Sequence, residues 1–191
     1  INNITSFNSL SDEETTKRAS KLNNPYHYVV VDVKFSTLPL RADGIHIQNT
    51  DSFTAYKSQL LIYTQAIGRI QGYTAPYAFI LGRRSKYTKS GVTNTSYNSL
   101  EKLGKIDYKK IDKEYWVKTR KAVNWVRDVK QNSYNWHCYP PFRNELYPNM
   151  CRDSGVWNKE KEEIALNIGE ITMIWNVGQN HRNNAIEKGI T

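Results

Sequence analysis

The sequence predicts an α/β fold: a small mixed sheet flanked by helices, with an α-helical C-terminal part. Three observations carry this. Val29–Phe35 (VVVDVKF) and Tyr77–Leu81 (YAFIL) are short apolar runs of strand type, and a helical pattern over Asp51–Gly72 lies between them. Strand, long helix, strand is the order of a layered α/β unit. From Asp112 onward the patterns are helical, apart from one aromatic, proline-interrupted stretch. The 191 residues suffice for a core of their own. We expect a core over 1–110 and a helical part over 111–191 packed on it.

Residues 1–27 are polar, with the charged patch SDEETTKR at Ser11–Arg18, and read as loop plus a short surface helix. Val29–Phe35 reads as a central strand, apolar on both faces. Pro39 and Gly44 break the connection Ser36–Gly44. Asp51 and Ser52 are N-cap types and Gly72 is a stop, so the helix runs between them. Leu60, Tyr63, Ile67 and Ile70 recur at helical spacing and predict its buried stripe. After Tyr77–Leu81, GRRSKYTKSG predicts an exposed hairpin or strand extension, and Leu103–Tyr108 a further strand. Asp112 is read as the cap of a helix reaching about Asn132, with Tyr115, Trp116, Val123 and Val126 on its apolar side. Asn135–Met150 reads as irregular. Helices are expected over Asn158–Trp175 and from Gly178 to Lys188.

Lys and Arg number 27 against 18 Asp and Glu, a net charge of +9. An anionic partner follows naturally, nucleic acid before membrane. Thirteen Tyr and five Trp supply rings for a core or for stacking on bases. No run is long and apolar enough to span a bilayer, and no secretory signal is visible. The sequons at Asn3 and Asn94 are therefore read as chance. Cys138 and Cys151 are expected to be free thiols, and two cysteines cannot build a four-cysteine zinc or iron–sulfur site.

Asp32 and Lys34 stand two apart on a strand and so share a face. Inside a sheet that pair is costly unless it is used or mutually satisfied. One reading is a strand-end ion pair. The other is metal-assisted phosphodiester hydrolysis: Asp32 and the Val33 carbonyl hold a divalent cation, and Lys34 orients the attacking water or stabilises phosphate charge. On the following helix, Gln59 and Tyr63 are one turn apart and face the same way. A glutamine heading an apolar stripe needs partners, which a metal-bound water or a nucleic-acid backbone would provide; the plainer reading is Gln59 at the rim of the stripe and Tyr63 in the core.

Strand D-x-K (Asp32, Lys34) followed by helical Q-x-x-x-Y (Gln59, Tyr63) resembles the PD-(D/E)XK nuclease superfamily, in particular its RecB-like, lambda-exonuclease-like branch. The likeness spans residues 28–90, including YAFILGRR at Tyr77–Arg84, and is similar to RecB-like nucleases of large DNA viruses. It implies a restriction-endonuclease-like core and cleavage of DNA with Mg²⁺ or Mn²⁺, exonucleolytic on duplex. Asp32, Lys34, Gln59 and Tyr63 would be the catalytic set. It further implies an intracellular setting, in the cytoplasm or virus factory of an infected host, and permits a homo-oligomer. The family also carries an acid on a strand preceding D-x-K. Asp12, Glu13 and Glu14 lie upstream in a polar segment, and Asp43 lies downstream. The expectation is that the true acid precedes Ile1, in an N-terminal remainder, so that this fragment holds half of a metal site.

Arg83, Arg84, Lys86 and Lys89, with Arg41 as a weaker partner, read either as phosphate contacts or as a solvated basic hairpin. The basic faces of the Asp112 helix read as solvated surface. His27, His46, His137 and His181 lack metal spacing. WHCYPPF reads as a packing loop rather than a Cys–His nucleophile. Ile171–Thr191 has a cadence similar to a helix-hairpin-helix, with two packed helices as the plainer reading. Two rival functions stand beside the nuclease: an inactive nuclease-fold DNA-binding module, and a metal-dependent hydrolase of RNA.

Overall fold

The computed structural model describes residues 12–190; the stretch 1–11, with its sequon at Asn3, lies outside the described residues. The chain divides into two compact units, one up to Trp125 and one from Val126. The first is mixed α/β. A short helix α1 (Asp12–Thr15) precedes β1 (Val31–Pro39), α2 (Phe53–Gln71), β2 (Tyr77–Lys89), β3 (Val92–Ser96), β4 (Leu103–Asp107) and the start of α3 (Tyr115–Asn132), which runs on past Trp125.

β1 and β2 are parallel, with Val31 opposite Phe79 and Lys34 opposite Gly82. Parallel neighbours need a crossover, and α2 is that crossover. β4 pairs antiparallel with Tyr77–Leu81, and β3 pairs antiparallel with Ser85–Lys89. Since β1 occupies one edge of β2, β3 and β4 share the other. The basic stretch after Leu81 is thus both a strand extension and a hairpin, turning at Ser90 and Gly91, both with positive φ.

The β1 expectation needs correction. It is an edge strand, not a central one: among the described residues only β2 pairs with its Val31–Lys34 half. Val31, Val33 and Phe35 are 44%, 69% and 85% exposed. Apolar letters on both faces suggested burial, yet one of those faces is open.

The buried stripe of α2 also differs from the expected one. Tyr63 and Ile70 are exposed, whereas Phe53, Lys57, Leu60, Leu61, Thr64, Gly68 and Gln71 face inward. Of the three polar residues there, Lys57 and Gln71 are fully bonded. Lys57 Nζ donates to the Ile47 carbonyl (2.7 Å), Asn49 Oδ1 (2.7 Å) and Asp112 Oδ1 (2.6 Å). Gln71 bonds both backbone groups of Tyr28 (2.7 and 3.0 Å) and the Tyr73 carbonyl. Burial pushes the Lys57 ammonium below its ordinary value, against the opposing pull of Asp112. Leu38, Leu40, Ile47, Leu60, Leu61, Ala78, Ile80 and Ile106 form the core under α2. Tyr77, Phe79 and Leu103 form a second cluster on the other face of the sheet.

Asp112 does not spend its side chain on capping α3. Its Oδ1 takes Lys57 and its Oδ2 accepts the Asp107 amide at 3.0 Å.

In the second unit, α4 (Asn158–Ile168) stops at Gly169, whose φ of 66° is left-handed. The expected helix to Trp175 is therefore cut short, and a 3₁₀ turn at Ile171–Met173 replaces it. After Gly178 comes α5 (Gln179–Glu187), as expected. The helix pair read from Ile171–Thr191 is thus one 3₁₀ turn and one helix. No helix of the described residues is long and apolar enough to cross a membrane.

Candidate active site

Strand alternation decides what β1 presents. Asp32 lies opposite Ile80, a core residue beneath α2, and Lys34 lies opposite Gly82. Both side chains therefore point to the α2 side, while Val31, Val33 and Phe35 point away. The Val30 carbonyl accepts the Phe79 amide at 3.0 Å. Backbone groups alternate in direction along a strand, so Val30 and Asp32 turn theirs toward β2. The carbonyl of Val33 lies on the open edge.

Gly82 lets β1 approach this closely. A methyl at that position would collide with the Leu38 side chain and come within 2.9 Å of the Ser36 carbonyl. The register also slips here: Lys34 faces Gly82 but Thr37 faces Arg84. One extra residue in β1 makes a bulge just beyond Lys34, a common device for re-aiming side chains beside a site.

All four expected residues meet. Lys34 Nζ is 2.9 Å from Asp32 Oδ2, with the side chains 20% and 22% exposed. It donates to Gln59 Oε1 at 3.2 Å. Gln59 Nε2 donates to the Tyr63 hydroxyl at 2.7 Å. Tyr63 is an acceptor in that bond, which leaves its own proton available to an anion. The partners that Gln59 needed are thus inside the chain. Sequence reasoning missed Tyr56, whose ring lies 4.4 Å from Lys34 Nζ and holds it by a cation–π contact. Its signal was present: Tyr56, Gln59 and Tyr63 recur at i, i+3 and i+7, one helix face.

Asp32 Oδ2 is buried, and despite the nearby ammonium no donor is aligned on it as a hydrogen bond; Ser36 Oγ is likewise buried without a partner. Asp32 Oδ2 and the edge carbonyl of Val33 are oxygens of the kind a hard divalent cation takes, but Lys34 Nζ stands 2.9 Å from Oδ2 and would have to yield it. Magnesium accepts one or two carboxylates and fills its remaining positions with water and substrate phosphate. Among the described residues no group of three or more His, Cys, Asp or Glu side chains is placed to hold a metal.

Of the upstream and downstream acids, Glu14 and Asp43 go elsewhere. Glu14 Oε2 lies 4.0 Å from Lys105 Nζ, which stands over the Tyr77 ring. That belongs to the sheet face opposite Asp32. Asp43 accepts the amides of Ile45 (2.8 Å) and His46 (3.0 Å) and pairs with the His46 ring (2.7 Å). Burial alone would raise its carboxyl, but the His46 and Ile45 bonds outweigh burial and hold it below the ordinary value.

The basic candidates follow the β1–β2 ladder away from this cluster. The Arg83 guanidinium lies 5.0 Å from the centre of the exposed Phe35 ring. Arg84 donates to Thr37 Oγ1 at 2.6 Å and lies 5.9 Å from the Tyr97 ring centre. Lys86 is exposed opposite Pro39. Arg41 follows Leu40, and its Nε is buried without a partner.

The remaining residues are structural. His27 bonds the Lys17 carbonyl and the Tyr77 hydroxyl. His137 Nδ1 donates to the Pro140 carbonyl, and His181 Nδ1 accepts the Gly178 amide at the start of α5. Cys138 and Cys151 are free. No protein-family model, curated protein or solved structure matches the chain.

Proposed function

We propose that the protein is a metal-dependent DNA nuclease of the PD-(D/E)XK type that hydrolyses phosphodiester bonds, acting as an exonuclease on duplex DNA. The observation that carries this reading is the linear run of contacts Asp32–Lys34–Gln59–Tyr63, of 2.9, 3.2 and 2.7 Å across β1 and α2. Asp32 and the Val33 carbonyl are the oxygens that would hold Mg²⁺ or Mn²⁺. When bound, such a cation supplies Lewis-acid polarisation of the phosphate. Lys34 orients the attacking water and stabilises phosphate charge. Gln59 fixes the ammonium, and Tyr56 flanks it. Tyr63 offers its free hydroxyl proton to a phosphate oxygen. Arg41, Arg83, Arg84 and Lys86 are proposed to hold the DNA backbone, which the net charge of +9 also favours.

A second reading is favoured by the same geometry. Lys34 already neutralises the carboxylate that a metal needs, which suits a nuclease fold that binds DNA without cutting it. Cleavage of DNA and RNA, with Mg²⁺ and with EDTA, separates these cases. Metal-dependent cleavage of DNA that disappears in Asp32→Ala and Lys34→Ala supports the nuclease. DNA binding without cleavage supports the module, and cleavage of RNA alone supports the RNA hydrolase. Undiminished cleavage in either variant refutes the assignment.

A further inference from the structure

Among the described residues, the Val31–Lys34 half of β1 is bonded along one side only, by β2. The backbone groups of Val31 and Val33 point to the other side, because those of Val30 and Asp32 turn toward β2. An open strand edge is a template for a further strand, and proteins commonly blunt it with lysine or proline. Here the outward row is Val31, Val33 and Phe35, all exposed. The two charges of the stretch, Asp32 and Lys34, already neutralise each other at 2.9 Å.

The order of the residues decides which strand fits. Reversed about Val33, the stretch Val31–Phe35 is complementary to itself. In an antiparallel pair centred there, Val33 meets Val33 of a second copy and exchanges both backbone bonds with it. Val31 falls opposite Phe35 on the exposed face. Asp32 falls opposite Lys34, and Lys34 opposite Asp32. These are the positions without backbone bonds, where side chains come closest. Opposite charges facing each other stabilise a ladder, and like charges oppose it. The same strands set parallel and in register would place Asp32 against Asp32 and Lys34 against Lys34. A strand of another sequence would leave the charges unmatched. The edge is thus matched to its own copy in one orientation.

We propose that β1 is a dimerisation edge: two copies of this chain pair their Val31–Phe35 strands antiparallel about Val33 into one continuous sheet. Such a contact presents the same surface from both copies, so it closes at two chains. It does not rest on the nuclease reading, but it bears on it. Pairing takes up the Val33 carbonyl that the nuclease reading reserves for a cation, so the paired chain is a closed form and the separated chain the metal-binding one.

Sedimentation velocity over a concentration series tests this and reads association without any cleavage. The unsubstituted chain should pass from monomer to dimer as concentration rises. Asp32→Lys leaves lysine at both positions, and Lys34→Asp leaves aspartate at both, so each variant alone sets like charges opposite each other. Each should raise the dissociation constant of the dimer about tenfold or more. Mixed in equal amounts, the two variants restore both opposite-charge pairs and should associate within about threefold of the unsubstituted chain, with circular dichroism confirming both folds. Hydrogen exchange of the unsubstituted chain needs no variant: the Val31 and Val33 amides should exchange fast when dilute and slowly when concentrated. A chain that stays monomeric at every concentration overturns the proposal. So does a dimer equally stable in both charge variants, or folded variants that fail to associate when mixed. Val31 and Val33 amides protected in the monomer would also overturn it, by showing another segment of the chain on that edge.

Discussion

Asp112→Ala tests whether the core of the first unit depends on a buried charge pair. Lys57 and Asp112 are both fully buried, with Nζ and Oδ1 2.6 Å apart. Removing the carboxylate leaves an ammonium held by two neutral acceptors, Ile47 O and Asn49 Oδ1. Breaking such a pair from one side costs about 3–5 kcal/mol. The Asp107 amide also loses its acceptor Oδ2, which adds about 1 kcal/mol. The expected destabilisation is about 4–6 kcal/mol in total, or a fall in Tm of roughly 8–24 °C at about 2–4 °C per kcal/mol for a chain of this size. Lys57→Met combined with Asp112→Leu removes both charges and should cost far less than Asp112→Ala. Hydrogen exchange of the Tyr77–Leu81 amides, monitored by mass spectrometry, reads the first unit by itself. A loss below about 1 kcal/mol in Asp112→Ala, or a double variant as damaged as the single one, would refute this account.

Four further outcomes are expected. Gln59→Leu removes the acceptor of Lys34 and should lower cleavage about ten- to a hundredfold with the fold intact, in line with other residues that orient a metal site; an unchanged rate argues against its positioning role. Gly82→Ala forces β1 away from β2 and should cost about 1–3 kcal/mol in urea unfolding, with Lys34 displaced; a neutral effect would contradict the close approach. Burial pushes Tyr115 up to about 12 and raises Tyr77 and Tyr108 as well. The folded values lie above the unfolded one, so this stability is full below about pH 10 and lost as pH rises through the folded values. Phenolate absorbance should show these three tyrosines ionising only with alkaline unfolding; early ionisation of all thirteen would be the contrary result. Asp43 has the opposite sign: its folded value is lowered, so its contribution is present above about pH 4 and lost as pH falls through the folded value. The His46 ring resonances should report the Asp43 turn loosening in that acid range, and an unchanged ring environment there would count against the bond.

The strand–helix–strand order, the stop of α2 at Gly72 and the hairpin after Leu81 were legible because each has a local cause. The Asp32, Lys34, Gln59 and Tyr63 cluster was legible because period-two and i, i+4 spacing fix faces without tertiary information. Burial was less legible. Val31, Val33 and Phe35 have the composition of a core strand, but burial depends on which strands lie beside them. Lys57 and Gln71 reversed the error: their charge or polarity hid core positions whose partners, Asp112 and Tyr28, are distant in sequence. Asp112 looked like a helix cap because capping is local, while its actual partner is fifty-five residues away. Ser36 carries no sequence signal at all, since an oxygen without a donor is a property of assembled surroundings.

The edge position of β1 has a consequence for motion. The Val31–Lys34 half of β1, held along one side, can separate from β2 while Leu38 keeps its place in the core beneath α2, a local opening at lower free energy than global unfolding. Asp32 and Lys34 ride on that strand, whereas Gln59 and Tyr63 ride on a helix anchored by Leu60 and Leu61. Each opening would pull the two halves of the cluster apart and each closing would reset them. The proposed activity should therefore fade on warming before the protein melts, with the β1 amides exchanging earlier than those of β2.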